Sequence, residues 1–364
     1  MGQEIGWGVR SDRTGATRGV ACARRDENID TIRGIACLLL VSYHVVGSSG
    51  SSGMRVPDGS GLRLANDVLA YVRMPLFTFV SGVVYAAKPV SLAGAGHFLK
   101  GKATRLLAPL AFVGLLFALA QRAVPGTNFD MDPAALPDIL IFPYAHFWFL
   151  QALFLVFLAV CFLEVVGALR SRHATAGVFC ASCTLFIFRH ELPSFFAIDR
   201  AAYLLPMFIA GLAVTRFSSA RQLWVAIELA TGALLVAFAA SMLGYPGMDH
   251  ALALCLAIIV PTLLLHHCPP SHALAIVGAY SYSIYLHHVF GTAGSRIVLG
   301  QLGVANDAAV FALGLAAGIA LPIAMHELLA PVPVVSRALL GVRHRSRASA
   351  VVRSRPPVGS VSIT

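Results

Sequence analysis

Charge is what this 364-residue chain has least of: Asp, Glu, Lys and Arg together supply 12% of it, about half the roughly 25% of an ordinary soluble domain. With 57% of the residues hydrophobic, there is too little polar surface to cover a water-soluble core. Lipid must replace water over much of the exterior. A soluble enzyme, a disordered chain and a nucleic-acid-binding domain are excluded together. Acidic residues are scarcer than basic ones, 17 against 27, for a net charge of +10; in a membrane protein that surplus is read through topology, because Lys and Arg collect on the cytoplasmic side. Cysteine is sparse and odd in number, seven, so no disulfide framework is implied. Cys180 and Cys183 form a C-x-x-C, but inside the apolar run GVFCASCTLFIF, where small polarizable core residues explain them better than redox or metal chemistry does. Period-two alternation is missing as well, which excludes a membrane β-barrel. So is the inverted internal repeat of many transporters.

What is present is a series of continuous apolar runs near 31–47, 68–87, 104–124, 146–167, 174–189, 200–216, 222–243, 250–266, 273–298 and 307–330. Backbone groups in lipid must be paired within their own segment, so each run is expected to be a helix. The expectation is an all-α, polytopic membrane helix bundle of about ten transmembrane helices. Placing the N-terminus inside puts 19 basic residues in cytoplasmic segments and six outside, Arg55, Arg63, Arg122, Arg189, Arg200 and Arg296. Both termini are therefore expected in the cytoplasm. Residues 1–28, polar and Gly-rich with five arginines and no apolar signal-peptide core, are expected to form a disordered cytoplasmic tail. Residues 29–335 form the membrane domain, and 336–364 a basic cytoplasmic C-terminal tail.

Two side chains in the first span, NIDTIRGIACLLLVSYHVVG, bear on chemistry. Arg33 and His44 are eleven residues apart, about three turns plus roughly 20°, so they share one helix face about 16 Å apart along the axis. Asp30 lies on that face at the cytoplasmic end. Charge at mid-membrane costs about 2.5–3.5 kcal/mol or more, which favours a protein-lined cavity. The spacing alone is equally compatible with Arg33 snorkelling to headgroups and His44 serving as an interhelical hydrogen-bond donor. In the second span, Pro75, Ser81 and Gly82 allow a bend and a close helix approach. Lys102 and Arg105 open the third. His266, His267, Cys268 and His272 are rich in possible ligands, but no metal site is expected there.

The R-x₁₀-H of IDTIRGIACLLLVSYH resembles the first helix of the acyltransferase-3 family of membrane acyltransferases. MPLFTFVSGVVY, KATRLLAPL, HFWFLQALF, SYSIYLHH and HELLAPVP resemble further family segments, in order, over residues 29 to 340. The resemblance implies an O-acyltransferase of the bacterial cytoplasmic (inner) membrane. It would move an acyl group, mostly acetyl, from acyl-CoA (acetyl-CoA) as co-substrate to a hydroxyl of an envelope or exported saccharide, free or lipid-linked, with no bound cofactor. Arg33 and His44 correspond to the family's paired essential residues, His44 as base or acyl acceptor and Arg33 toward the CoA phosphates. The supporting residues are Asp30, Ser81, Lys102, Arg105, Trp148, Tyr285, His288 and Glu327; Glu327 is expected to pair with Arg33 or Arg105. Unlike some members, this chain is expected to lack an extracytoplasmic esterase-like domain. The competing reading is a transporter or flippase of a lipid-linked saccharide, since intramembrane Arg and His also mark transport paths.

Overall fold

The computed structural model describes residues 26–127, 136–217, 222–242 and 247–341. Most of both predicted tails, including Cys22, lies outside the described residues.

Helix α1, Glu27–Val46, starts where the Asp26 carboxylate accepts the Asn28 and Ile29 backbone N–H groups at 3.0 and 3.3 Å. That pairing satisfies donors a helix start leaves open. It ends at Gly47, whose φ of 89° turns the chain into a loop that Arg63 ties down by donating to the carbonyls of Gly47, Ser49 (2.8 Å) and Val56 (3.3 Å). Then follow α2 Gly61–Ala86, α3 Ala95–Ala123, the short α4 Asp138–Ile141, α5 Trp148–Val165, α6 Arg172–Ile187, α7 Ile198–Arg216, α8 Gln222–Met242, α9 Gly247–His267, α10 His272–Ala279, α11 Ser281–Gln301, α12 Asp307–Leu329 and α13 Pro333–Leu340. Strands are absent among the described residues. All ten predicted runs coincide with helix. The ninth differs in detail, being broken at Tyr280 into α10 and α11. Helix α1 begins two residues before the expected boundary at 29, and α13 runs through the one at 336.

Successive long helices run in opposite directions, and the contacts between their ends show it. At the end where α1 starts, Asn28 Nδ2 donates to the Leu265 carbonyl at 3.1 Å, and Arg216 holds Glu164 and the Leu169 carbonyl at 3.0 Å. At the opposite end, Arg296 donates to the Gly126 carbonyl at 2.8 Å and Tyr144 to Gln121. Among the described residues, six helical segments (Glu27–Val46, Gly61–Ala86, Leu92–Ala123, Asp138–Val165, Phe195–Arg216 and Asp307–Leu329) are long and apolar enough to cross a membrane on their own. Helix α6 has only 16 residues, and α11 is made less apolar by His287, His288, Thr292, Ser295 and Arg296. All five are buried or half-buried.

Burial separates core helices from lipid-facing ones. The apolar stretch of α7 is 67% buried and that of α12 only 17%. Phe112, Leu115, Leu116 and Leu119 of α3 and Leu234, Leu235 and Phe238 of α8 are exposed, an apolar exterior that only lipid covers at low cost. At the centre, α2 meets α7 backbone to backbone. A Cβ on Gly82 would stand 2.1 Å from the Phe208 carbonyl oxygen, and one on Gly211 the same distance from that of Phe79. This is the small-residue packing expected of Gly82.

Candidate active site

At the end of the bundle opposite the start of α1, the helices enclose an open cavity of about 810 Å³ lined by residues of α1, α2, α3, α5, α7, α11 and α12 and of the loops between them. His44 lies near the end of α1 and reaches this cavity. Its Nδ1 is 3.0 Å from the Leu40 carbonyl, one turn back, and 3.1 Å from Nε2 of His288 on α11. A carbonyl only accepts, so His44 Nδ1 carries the proton. His288 Nδ1 sits 2.9 and 3.0 Å from the carbonyls of Ile284 and Tyr285 and must likewise donate. A neutral imidazole has one donor and one acceptor nitrogen, so His288 Nε2 accepts from His44. The same logic leaves His44 Nε2 with a lone pair, on the ring side that has no hydrogen bond among the described residues.

A third imidazole, His146, completes the cluster, with ring centroids 5.0 Å from His288 and 5.8 Å from His44. It precedes α5 in the short helical turn Ala145–Phe147. Its backbone carbonyl accepts the Tyr285 hydroxyl, and its Nε2 faces the Leu286 carbonyl at 3.4 Å. Ala145 has φ 42°, a left-handed conformation costly for a residue with a Cβ; the turn that presents His146 is held in place by its surroundings. Phe117 closes edge-on over His146 at 5.6 Å.

Of the predicted site residues, the cavity region gathers His44, His288, Tyr285 and Trp148. Trp148 has the Arg200 guanidinium 5.1 Å from its ring. The others lie elsewhere. Arg33 pairs with Asp30 at 2.9 Å, with Asp30 buried and Arg33 28% exposed. Lys102 packs its ammonium 3.5 Å from the Phe157 ring centroid. Arg105 lies 5.1 Å from that of Tyr282, and its backbone carbonyl takes the Tyr282 hydroxyl. The Ser81 hydroxyl is spent within its own helix, on the Phe77 carbonyl at 2.8 Å. Glu327 accepts from the Tyr280 hydroxyl, which corrects the expectation of an arginine partner. The tyrosine at the helix break reaches Glu327, whereas Arg33 is engaged one turn along its own helix.

Sequence reasoning passed over Arg73, Tyr43 and His146. Arg73 carried a usable signal, a guanidinium inside the predicted span 68–87. His146 stands within YAHFWFL at the head of the fourth span, where an interfacial histidine attracts no notice. Tyr43 had no signal beyond its adjacency to His44.

An apolar-skinned helical bundle with an imidazole cluster at the floor of an intramembrane cavity defines a multi-pass membrane protein with a site suited to proton transfer. The chain belongs to the acyltransferase-3 family: a family model described as an acyltransferase domain matches residues 26–327. No curated protein and no solved structure matches it.

Proposed function

We propose that this membrane acyltransferase transfers an acyl group, acetyl in the first instance, from acyl-CoA to a hydroxyl of an envelope or exported saccharide, with His44 as general base. The observation that carries the reading is the His44–His288 pair. Two backbone-anchored imidazoles in series commit the His44 proton to Nδ1 and present the Nε2 lone pair on the open side of the ring. A sugar hydroxyl is a poor nucleophile until its proton is accepted. As Nε2 takes that proton, the oxygen attacks the thioester carbonyl, the C–S bond breaks, and the imidazolium returns the proton to the CoA thiolate. General-base assistance of this kind contributes about 10²–10⁴-fold. His288 touches no reacting atom in this scheme; it positions His44.

Arg33, on the same face of α1 about 16 Å below His44, is the proposed contact for CoA phosphates, with Lys102 and Arg105 adding positive field at that end. A guanidinium suits phosphate through its paired donors. The extended arm of CoA would bridge from that end to the imidazoles. The bacterial inner membrane is the proposed location.

The test is acyl transfer from acetyl-CoA by the purified protein in lipid, together with mass spectrometry of surface glycans from cells with and without it. His44→Ala and His44→Asn should both lose transfer by two orders of magnitude or more while the protein still inserts and folds. Asn retains hydrogen bonding but takes no proton at neutral pH. An Asn variant with near-normal transfer would move the base elsewhere.

A further inference from the structure

Arg73 differs from Arg63 and Arg216, two other arginines of low exposure, in having no ion-pair partner among the described residues. Arg63, 2% exposed, has Asp58 at 3.6 Å, and Arg216 has Glu164 at 3.0 Å. Arg73 is 4% exposed and lines the cavity, yet among the described residues no carboxylate lies within ion-pair distance of it. Its Nη2 donates to the Asn66 carbonyl at 2.8 Å and approaches the Asn66 side-chain oxygen at 3.3 Å. Its Nε is buried with no partner, as are Arg63 Nε and Arg216 Nη2, so the missing ion-pair carboxylate is what sets Arg73 apart. The guanidinium carbon rests 3.9 Å from the centroid of the Tyr43 ring, a cation–π contact that offsets part of the cost of burying the charge. A buried cation with an unused donor and no carboxylate in ion-pair contact, Asp67 acting on it only from farther off, is expensive to keep, unless an anion arrives to complete it.

The rest of the cavity wall points the same way. Arg189, Arg200 and Arg296 also line it, and among the described lining residues Asp199 is the one carboxylate. A low-dielectric cleft lined by one sign of charge concentrates ligands of the other.

We propose that the acceptor saccharide carries an oxyanion, a carboxylate or a phosphate, and that Arg73 binds it beside the reacting hydroxyl. Tyr43 sets the geometry. Its ring carries Arg73 on its face and meets the His44 ring nearly perpendicularly, centroids 4.9 Å apart, so the anion site and the base flank one tyrosine. An acidic sugar seated on Arg73 would bring a ring hydroxyl toward His44. The anion belongs to the acceptor rather than to CoA because Arg33, Lys102 and Arg105 lie at the other end of the bundle, outside the cavity lining. The basic-residue bias marks that other end as cytoplasmic, where acyl-CoA is made. This inference rests on the reading that the acceptor enters here.

The experiment measures equilibrium binding of glucose, glucuronate, glucose 6-phosphate and CoA to the purified full chain in lipid nanodiscs. Glucuronate or glucose 6-phosphate should bind about tenfold or more tighter than glucose, the scale of one charge-assisted contact; which of the two is preferred distinguishes carboxylate from phosphate. Inorganic phosphate should compete. Arg73→Gln should abolish the preference with CoA affinity unchanged, and Arg73→Lys should keep part of it. Equal binding of glucose and both anions by the wild type would overturn the proposal. So would a preference that survives Arg73→Gln, a failure of phosphate to compete, or a loss of CoA affinity in Arg73→Gln, which would assign Arg73 to the donor. The wild-type and competition arms stand even if Arg73→Gln does not fold. The preference should persist in His44→Ala; seen there while the wild type transfers nothing, it would leave the anion site standing and remove the transferase chemistry instead.

Discussion

A histidine works as a base only when its lone pair points at the substrate, and in the role proposed for His44 that depends on His288. Replacing His288 with Leu removes the side-chain acceptor for His44 Nδ1–H and leaves the Leu40 carbonyl alone to orient the ring. We expect kcat to fall by roughly 10–100-fold, the usual cost of losing an orienting partner, with KM nearly unchanged. His288→Gln, whose side-chain oxygen can take the same proton, should recover most of the loss; a merely space-filling role would predict that Leu is the better substitute. The two histidines should also be non-additive, His44→Ala/His288→Leu being no worse than His44→Ala alone, because one acts through the other. Helical spacing made the shared face of Arg33 and His44 legible in the sequence. The His44–His288 contact was not, because it joins residues 244 positions apart and nothing in either segment encodes the other. Arg73 was hidden differently: its charge was visible, but that no carboxylate among the described residues forms an ion pair with it is a property of the packed bundle.

At the scale of elements, close helix approach is the device that brings α2 and α7 together behind the cavity, and it leaves no room for a methyl group at Gly82. Gly82→Ala would set a Cβ against the Phe208 carbonyl, which is backbone and cannot rotate away. The expected cost is about 1–3 kcal/mol, read as a lowered melting temperature in detergent. Gly101→Ala is the control: nothing lies within 4 Å of the added Cβ within α3, and the gain in helix propensity should stabilise by about 0.5–1 kcal/mol. Equal behaviour of the two variants would mean that the α2–α7 contact does not limit stability. The ten helical runs were readable because hydropathy and length report what lipid requires of each segment. The break between α10 and α11 was not, since both halves are apolar across it. It coincides with Gly278, which packs against the Asp30 carbonyl, 1.8 Å from where a Cβ would sit, and with Tyr280, which is tethered to Glu327. Both are tertiary contacts.

For the whole molecule, alternating helix directions turn a one-dimensional list of residues into two chemically different ends. One end collects the Asp30–Arg33 pair, Lys102, Arg105 and Glu327. The other collects the loop clamped by Arg63, the imidazole cluster and the arginine-lined cavity. Which end faces the cytoplasm is an expectation from charge: the sequence assigns 19 basic residues against six to the side on which the first span begins, and positive residues resist translocation. Under the proposed function this orientation carries weight, because it would put the proposed CoA-binding arginine where acyl-CoA is made and open the cavity toward an exported acceptor. Cysteine accessibility tests it in a background cleared of native cysteines. Gly59→Cys, in the exposed α1–α2 loop, should react with a membrane-impermeant maleimide in intact cells. Arg170→Cys, in the exposed turn between α5 and α6, should react only after permeabilisation. The reverse pattern would invert the bundle and place His44, Arg73 and the cavity on the cytoplasmic side. CoA would then be the anion with direct access to Arg73, and the separation of donor and acceptor between the two ends would have to be abandoned.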